Sequence, residues 1–381
     1  MVRDSSRAVR RCWVSVSAVT SHPVPGPRPR AALADVPAYV AGKPPAPRDG
    51  VTTYKLSSNE NPYPPLPEVV AAAAEALERM NRYPDMGSTA LYAALAERLG
   101  VPTERLAAAT GSVALLYHLV QAFCEPGDEV LCAWRSFEAY PIAAAVCGAR
   151  TVQVPLAADG THDLPAMAAA VTDRTRVVLL CTPNNPTGPA LGHAEVADFL
   201  GRVPGDVVVV IDEAYTEFVR RADAVDALAL AREHENVVVM RTFAKAYGLA
   251  GLRVGYLVAS EAVAGAVRAC ALPFGVSAPA QAAAVAALAC EPALLERVGA
   301  IVAERDRVVT ALRDQGWSIP DAQGNFVWLG LGERTPEFAA LCEEAGVMVR
   351  PYATDGVRIT IGEAGGNDRF LEVARAYPHR V

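Results

Sequence analysis

Three clusters of polar side chains in this 381-residue chain have types and spacings that could do chemistry, and each follows an apolar run. Asp212 ends the run Val207-Val208-Val209-Val210-Ile211. A carboxylate closing an all-apolar strand is costly to desolvate without a cationic partner, and a protonated pyridine nitrogen is one such partner. Asp also caps helices well, so residue type alone leaves both readings open. Tyr215, three residues further on, can reach the same ligand. Lys245 sits in Arg241-Thr242-Phe243-Ala244-Lys245-Ala246-Tyr247-Gly248. A lysine in a partly closed, cation-rich pocket has a lowered pKa and becomes a nucleophile toward aldehydes. Thr242 and Arg253 flank it and offer a hydroxyl and a guanidinium to a phosphate, while Gly248, Gly251 and Gly255 let the backbone turn tightly there. In the third cluster, Ala109-Thr110-Gly111-Ser112-Val113 opens a helical stretch. Its N–H groups and the Ser112 hydroxyl can receive a phosphate at the positive helix end, although an ordinary N-cap by Ser112 or Thr110 uses the same residues.

The elements that must position these clusters follow from hydrophobic pattern. Short Val/Leu/Ile runs at Glu129–Ala133, Thr151–Val154, Val177–Cys181, Val207–Ile211, Val237–Arg241 and Gly255–Val258 alternate with Ala-rich helical stretches at Val69–Met80, Ala90–Leu99 and Val113–Phe123. Strands alternating with helices predict an α/β fold whose mostly parallel sheet is covered on both faces, which allows each strand to be apolar throughout. Ligands of such sheets bind at the carboxyl ends of strands. Pro183-Asn184-Asn185, Asp212 and Thr242–Lys245 all fall at those ends and can converge on one site. The C-terminal part reads as a smaller α/β unit: a long helix over Ala278–Arg313, a strand Phe326–Leu329, a helix Pro336–Ala345, then strands Val347–Arg350 and Val357–Ile361. The expected organisation is an extension at 1–30, an N-terminal arm at 31–58, a large domain at 59–272 and a small one at 273–381, with the arm wrapping onto the small unit or onto a partner subunit.

Composition narrows the function classes. With 52% hydrophobic residues the chain can bury a sizeable core, and its length suggests roughly two to three domains. A formal net charge of −7 argues against nucleic acid or an anionic membrane as partner. The eight cysteines are scattered, without a C-x-x-C pair, so no metal centre or disulfide framework is expected. Cys132, Cys147, Cys181, Cys270 and Cys290 lie among Ala, Val and Leu, as buried reduced thiols of a cytoplasmic protein do, whereas Cys12 precedes the bulk of the chain. No uninterrupted apolar run reaches the ~18 residues of a membrane span. The first thirty residues are rich in Arg and Pro. Arg10-Arg11 could belong to an export signal, but the following apolar stretch is short and broken by serines, so a disordered tail, or a start codon placed too far upstream, is the expected reading.

Several of these motifs occur together in one known family. Asn185-Pro186-Thr187-Gly188, Asp212-Glu213-Ala214-Tyr215, Thr242-Phe243-Ala244-Lys245 and Arg253 stand in the order and spacing of class I/II aminotransferases dependent on pyridoxal 5'-phosphate (PLP), which the chain resembles. Lys55-Leu56-Ser57-Ser58-Asn59-Glu60-Asn61-Pro62, Asn81-Arg82-Tyr83-Pro84 and Val357-Arg358-Ile359-Thr360-Ile361-Gly362 make it similar to the histidinol-phosphate aminotransferase branch in particular. The resemblance covers about Ala31 to the C-terminus. It implies a fold type I transferase with a seven-stranded, mostly parallel sheet, a smaller C-terminal domain and a homodimer with shared active sites. By the same resemblance, Lys245 would form the Schiff base with the cofactor and shuttle the proton. Asp212 would keep the pyridine nitrogen protonated, and Asn185 and Tyr215 would hold the ring hydroxyl oxygen. Ser112, Thr242, Arg253 and the Gly111–Val113 backbone would bind the phosphate, with Tyr83 reaching it from the neighbouring subunit. Phe137 would stack on the ring, Arg358 would take the substrate carboxylate, and Arg350, Asn59 and Tyr140 would complete the substrate site.

Two departures bear on the reaction. The residue before the lysine is usually Ser in this branch and is Ala244 here, which should weaken cofactor retention by about 1 kcal/mol, the usual net worth of one hydrogen bond. Histidinol-phosphate enzymes carry acidic residues where this chain has Val113-Ala114, and the segment from Ala133 to Pro141 looks like the aromatic amino-acid aminotransferases near that branch. An apolar pocket walled by Val113, Phe137 and Tyr140 favours an aromatic side chain over a phosphorylated imidazole. The expected activity is therefore amino transfer between Phe or Tyr and 2-oxoglutarate. The alternatives are a histidinol-phosphate aminotransferase, or a specialised transaminase or decarboxylase with the same cofactor machinery. A ligand-sensing regulator would need a DNA-binding helix-turn-helix in front, and the first fifty residues lack the periodicity for one. A nicotinamide dehydrogenase would need G-x-G-x-x-G after its first strand, which is missing.

Overall fold

The computed structural model describes residues 52–378, the segment 26–30 and the single positions Leu33, Val36, Tyr39, Gly42 and Gly50. Most of the expected 1–30 extension, including Cys12 and Arg10-Arg11, and most of the arm before residue 52 lie outside the described residues.

The order begins β1 (Tyr54–Lys55), α1 (Pro67–Leu77), α2 (Thr89–Leu99), β2 (Leu106–Ala109), α3 (Ser112–Phe123), β3 (Glu129–Trp134), α4 (Ala139–Cys147) and β4 (Arg150–Pro155). It continues α5 (Leu164–Ala169), β5 (Thr175–Cys181), α6 (His193–Leu200), β6 (Val208–Asp212), α7 (Ala227–Glu233), β7 (Val237–Thr242), β8 (Gly255–Val258) and α8 (Glu261–Cys270). The last part is α9 (Ala278–Ala289), α10 (Glu291–Asp314), β9 (Phe326–Gly330), α11 (Thr335–Glu344), β10 (Val347–Met348), β11 (Arg350–Tyr352), β12 (Gly356–Thr360) and α12 (Ala364–Ala376).

Seven strands form the main sheet in the order β2-β8-β7-β6-β5-β3-β4. Pairing is parallel from β7 through β4, and β8 runs antiparallel to both of its neighbours. Along β6, Val209 and Ile211 join one buried cluster while Val208 and Val210 join the cluster on the opposite face. Successive side chains of a strand point to opposite faces, so a sheet covered on both sides requires apolar residues at every position. That is why the interiors of β5, β6 and β7 read as Val/Leu/Ile runs. A three-stranded sheet, β11-β12-β9, forms the smaller unit, and β1 pairs in parallel with β10, tying the N-terminal segment to that unit. Among the described residues no helix is long and apolar enough to cross a membrane.

Three local expectations change. The single helix expected over Ala278–Arg313 is two, α9 and α10, divided at Cys290. Pro292 stands in the first turn of α10, where a missing N–H costs nothing, but the same ring would break a continuous helix. The strand expected over Val347–Arg350 is split at Val349 between two different pairings. Leu106–Ala109, which was not expected to be a strand, forms β2 because its pairing with β8 overrides the helix propensity of Ala.

Candidate active site

The carboxyl ends of β5, β6 and β7 open on a cavity of about 370 Å³, lined among others by Asn185, Asp212, Tyr215, Thr242, Ala244, Lys245 and Arg253. Ser57, Ser58, Arg350, Tyr352 and Arg358 close it from the N-terminal segment and the small sheet, and Ser112, Val113, Phe137 and Glu138 wall it from the large unit. The three polar clusters therefore converge on one space.

Asp212 is 3% exposed and its Oδ2 accepts a 2.8 Å hydrogen bond from the Tyr140 hydroxyl, while Oδ1 accepts from the Ala214 N–H. A turn follows β6, so the alternative in which Asp212 caps a helix does not apply. No cation bridges to Asp212 among the described residues; burial outweighs the two hydrogen bonds and pushes its carboxyl up to about 6. Such a group asks for a buried cation in the cavity. Lys245 is driven the opposite way. Its Nζ donates to the Ser58 carbonyl at 3.1 Å, and burial, with Arg358 and Arg253 nearby, lowers its pKa to about 7.

Around this pair the fold fixes the remaining side chains. Asn59 Nδ2 donates to the Tyr215 hydroxyl at 3.0 Å, and the Tyr215 ring meets Phe326 edge-on. Asn59 is itself locked to Thr360 and accepts from Asn325, joining the N-terminal segment to β12 and the residue before β9. Asn184 accepts from Ser136 and donates to Thr187, which braces the loop carrying Asn185. Arg358 donates through Nη1 to Asn185 Oδ1 and through Nη2 to the Ser57 carbonyl, and its buried Nε has no partner among the described residues. At the other end, Gly111 precedes α3 at φ +84°, and a Cβ there would lie 2.7 Å from Arg253 Nη2. A Cβ on Gly255 would lie 2.6 Å from the Ser112 nitrogen. Glycine at these two places lets the Arg253 guanidinium and strand β8 approach the N-terminus of α3, and a guanidinium beside a helix N-terminus suits an anion.

These features fit PLP: an uncompensated carboxylate for the ring nitrogen, a low-pKa lysine for the aldehyde, and an arginine with a helix N-terminus for the phosphate. Two residues expected at the substrate are buried: Tyr140 donates its hydroxyl to Asp212, and Asn59 donates to Tyr215. Ala114 faces a neighbouring groove, whereas Val113 lines both spaces. Tyr83 is far out on the surface, stacked on Phe274. Sequence reasoning missed Tyr352, which lies within 5.2 Å of the Arg350 guanidinium and 5.7 Å of that of Arg358. Its spacing of two from Arg350 on one strand was the available signal. Glu138 and Cys181 were missed as cavity residues as well.

Comparison with known proteins places the chain in a family. The family model described as aminotransferase class I and II matches residues 52–375. The chain is 58% identical over 351 residues to an aromatic amino acid aminotransferase of Streptomyces avermitilis, covering 92% of this chain and 98% of the relative. It is 57% identical, with the same coverage, to that of Streptomyces coelicolor. Among solved structures, histidinol-phosphate aminotransferase from Sinorhizobium meliloti in complex with pyridoxal-5'-phosphate superposes with a TM-score of 0.78 at 30% identity, covering 84% of this chain and 90% of that one.

Proposed function

We infer the reaction from the premise that this chain belongs to the aminotransferase class I and II family: it is a PLP-dependent aromatic amino acid aminotransferase. The observation that carries the mechanism is the sharing of one cavity by an uncompensated carboxylate, Asp212, and a low-pKa lysine, Lys245.

Bound there, PLP supplies an aldehyde that accepts the amino group and a ring that withdraws electrons from the substrate's Cα. Asp212 holds a proton on the ring nitrogen, and Tyr140 holds Asp212 in place. Asn185 and Tyr215 bind the ring hydroxyl oxygen. Arg253, Thr242, Ser112 and the backbone at Gly111–Val113 bind the phosphate, and Phe137 packs against the ring. Lys245 would anchor the cofactor, and its amine, set free when the substrate's amino group takes its place, would carry the proton away from the substrate's Cα. A lysine that titrates near 7 can do both at neutral pH. Arg358, with an unpartnered Nε and its ring contacts to Tyr352 and Phe326, receives the α-carboxylate of donor and acceptor in turn.

The donor is Phe or Tyr and the acceptor 2-oxoglutarate, exchanged in a ping-pong cycle. Val113, Phe137 and Tyr352 along the cavity support an aromatic side chain. Steady-state kinetics should give kcat/KM for Phe or Tyr at least about tenfold above that for histidinol phosphate, roughly 1.4 kcal/mol of transition-state preference. Arg358→Ala should damage both half-reactions. A preference for histidinol phosphate would overturn the aromatic reading.

The active unit is a symmetric dimer in which Tyr83 reaches the neighbour's cofactor phosphate. Met86, Leu272 and Phe274 border an apolar groove of about 810 Å³ that shares Val113 and Arg253 with the cofactor cavity, which supports a second copy seated there. The seven described cysteines are free thiols, which supports a cytoplasmic setting.

A further inference from the structure

Two arginines of the small sheet stand side by side in the cavity wall. Arg350 on β11 and Arg358 on β12 are direct partners in the antiparallel ladder, both nearly buried and both on the lining of the cavity. Like charges directly opposite each other on a sheet repel, so the arrangement persists only with compensation. Tyr352 offers its ring to both guanidinium groups. The charge compensation itself is unequal. Glu138, at the start of α4 on the other wall, forms an ion pair with Arg350 Nη2. Among the described residues, the hydrogen-bond partners of Arg358 are neutral oxygens of Asn185 and Ser57.

We propose that Glu138 is a specificity-determining residue: its carboxylate occupies Arg350, so that the cavity presents one arginine for a substrate anion instead of two. A donor with a single carboxylate and an uncharged ring binds with the Glu138–Arg350 pair intact, its ring among Phe137, Val113 and Tyr352. A ligand carrying a second anion at its far end, a phosphate or a distal carboxylate, meets Glu138 and must displace it from Arg350. The Glu138 side chain is 25% exposed and can turn toward solvent, so displacement is possible but costly. The dicarboxylate acceptor pays that cost in every cycle, and a phosphate dianion meets a stronger repulsion. This inference rests on the reading that an aromatic side chain lies in this cavity.

Binding of non-reacting acids to the holoenzyme tests it without turnover. Dissociation constants for 3-phenylpropanoate and for glutarate are measured by the change in the cofactor's visible spectrum, in the parent, Glu138→Gln, Glu138→Ala and Glu138→Gln/Arg350→Met. Removing the Glu138 charge should shift the ratio of the two constants at least about tenfold toward glutarate. The double variant should lose that gain, because the gain depends on the freed Arg350. In steady state, kcat/KM for histidinol phosphate relative to Phe should rise in the same single variants, mainly through KM. An unchanged ratio in both single variants overturns the proposal, as does a gain that survives the Arg350→Met change. Failure of the parent to bind 3-phenylpropanoate would count against the aromatic reading instead, and the glutarate arm would still report on Glu138.

Discussion

Burial pushes the Asp212 carboxyl of the cofactor-free protein above the ordinary carboxylate range, up to about 6. A group whose folded-state pKa is raised stabilises the fold fully below its unfolded value, and loses that contribution as pH rises through its folded value. Above pH 6 the cofactor-free protein therefore carries an unfavourable buried charge, a cost on the order of 2–3 kcal/mol for a shift of this size. Asp212→Asn should make the cofactor-free protein more resistant to urea at pH 8, with the difference shrinking toward pH 4. The same change should lower turnover of the holoenzyme by orders of magnitude, because the ring nitrogen loses its counter-charge. A fall of less than about tenfold would remove Asp212 from the mechanism. Lys245 gives the complementary prediction. Its pKa near 7 means that half of the amine is already neutral at that pH. The rate at which cofactor-free protein captures PLP should rise through about pH 7 and then level, whereas an ordinary lysine would keep accelerating toward ~10.4. Borohydride reduction followed by mass spectrometry should place the adduct on Lys245, and an adduct on another lysine would reject the assignment.

At the scale of elements, strand alternation separates two neighbouring acids with opposite duties. Asp212, last on β6, faces the Tyr140 side and the cavity. Glu213, one residue on, pairs with Arg241 of β7, whose Nη2 lies 2.7 Å from Glu213 Oε2. Burial pushes Glu213 up and Arg241 holds it back, so this pair is structural rather than chemical. Glu213→Ala should cost about 3–5 kcal/mol in urea unfolding, because it leaves Arg241 without its buried partner. The folded variant should keep its affinity for PLP; loss of cofactor at unchanged stability would show that Glu213 serves the site directly. The elements also show what was legible in the sequence. The central strands were readable because both faces of the sheet are covered, so Val177–Cys181, Val207–Ile211 and Val237–Met240 run without a polar residue, and the candidate site residues stand where those runs stop. Leu106–Ala109 was not, since alanines carry no period and only β8 makes them a strand. Nor were the places of Tyr140 and Asn59, polar groups hydrogen-bonded to Asp212 and Tyr215. Their partners lie 72 and 156 residues away, and no local pattern encodes such pairs. Glu138 and Arg350, 212 residues apart, are hidden for the same reason. The division into large and small units near Leu272-Pro273 stays a proposal drawn from sequence.

The whole molecule exposes an apolar surface beside its catalytic cavity, and that surface bears on assembly. Met80, Tyr83, Met86 and Leu272 are each more than 65% exposed, and Tyr83 stacks on Phe274 at 4.6 Å between centroids. Scattered apolar residues need no explanation, but Met86, Leu272 and the Phe274 on which Tyr83 stacks border a groove that runs to Val113 and Arg253, two residues it shares with the cavity. A second copy related by two-fold symmetry would cover this groove and would bring its own Tyr83 to the phosphate-binding end of the first copy's site, and the reverse. Each site would then need Lys245 from one chain and Tyr83 from the other. Tyr83→Ala and Lys245→Ala homodimers should each be impaired, the second to the point of inactivity. Mixed and re-equilibrated, they should regain activity, because every heterodimer contains one site built from an intact Lys245 and an intact Tyr83 and a second site lacking both. With equal amounts and random exchange, half of the dimers are mixed, so the regained activity should approach about a quarter of the parent's per site. Analytical ultracentrifugation at the assay concentration should give a dimer. A monomer with full activity, or a mixture no more active than the average of its two components, would refute sharing of the site between subunits.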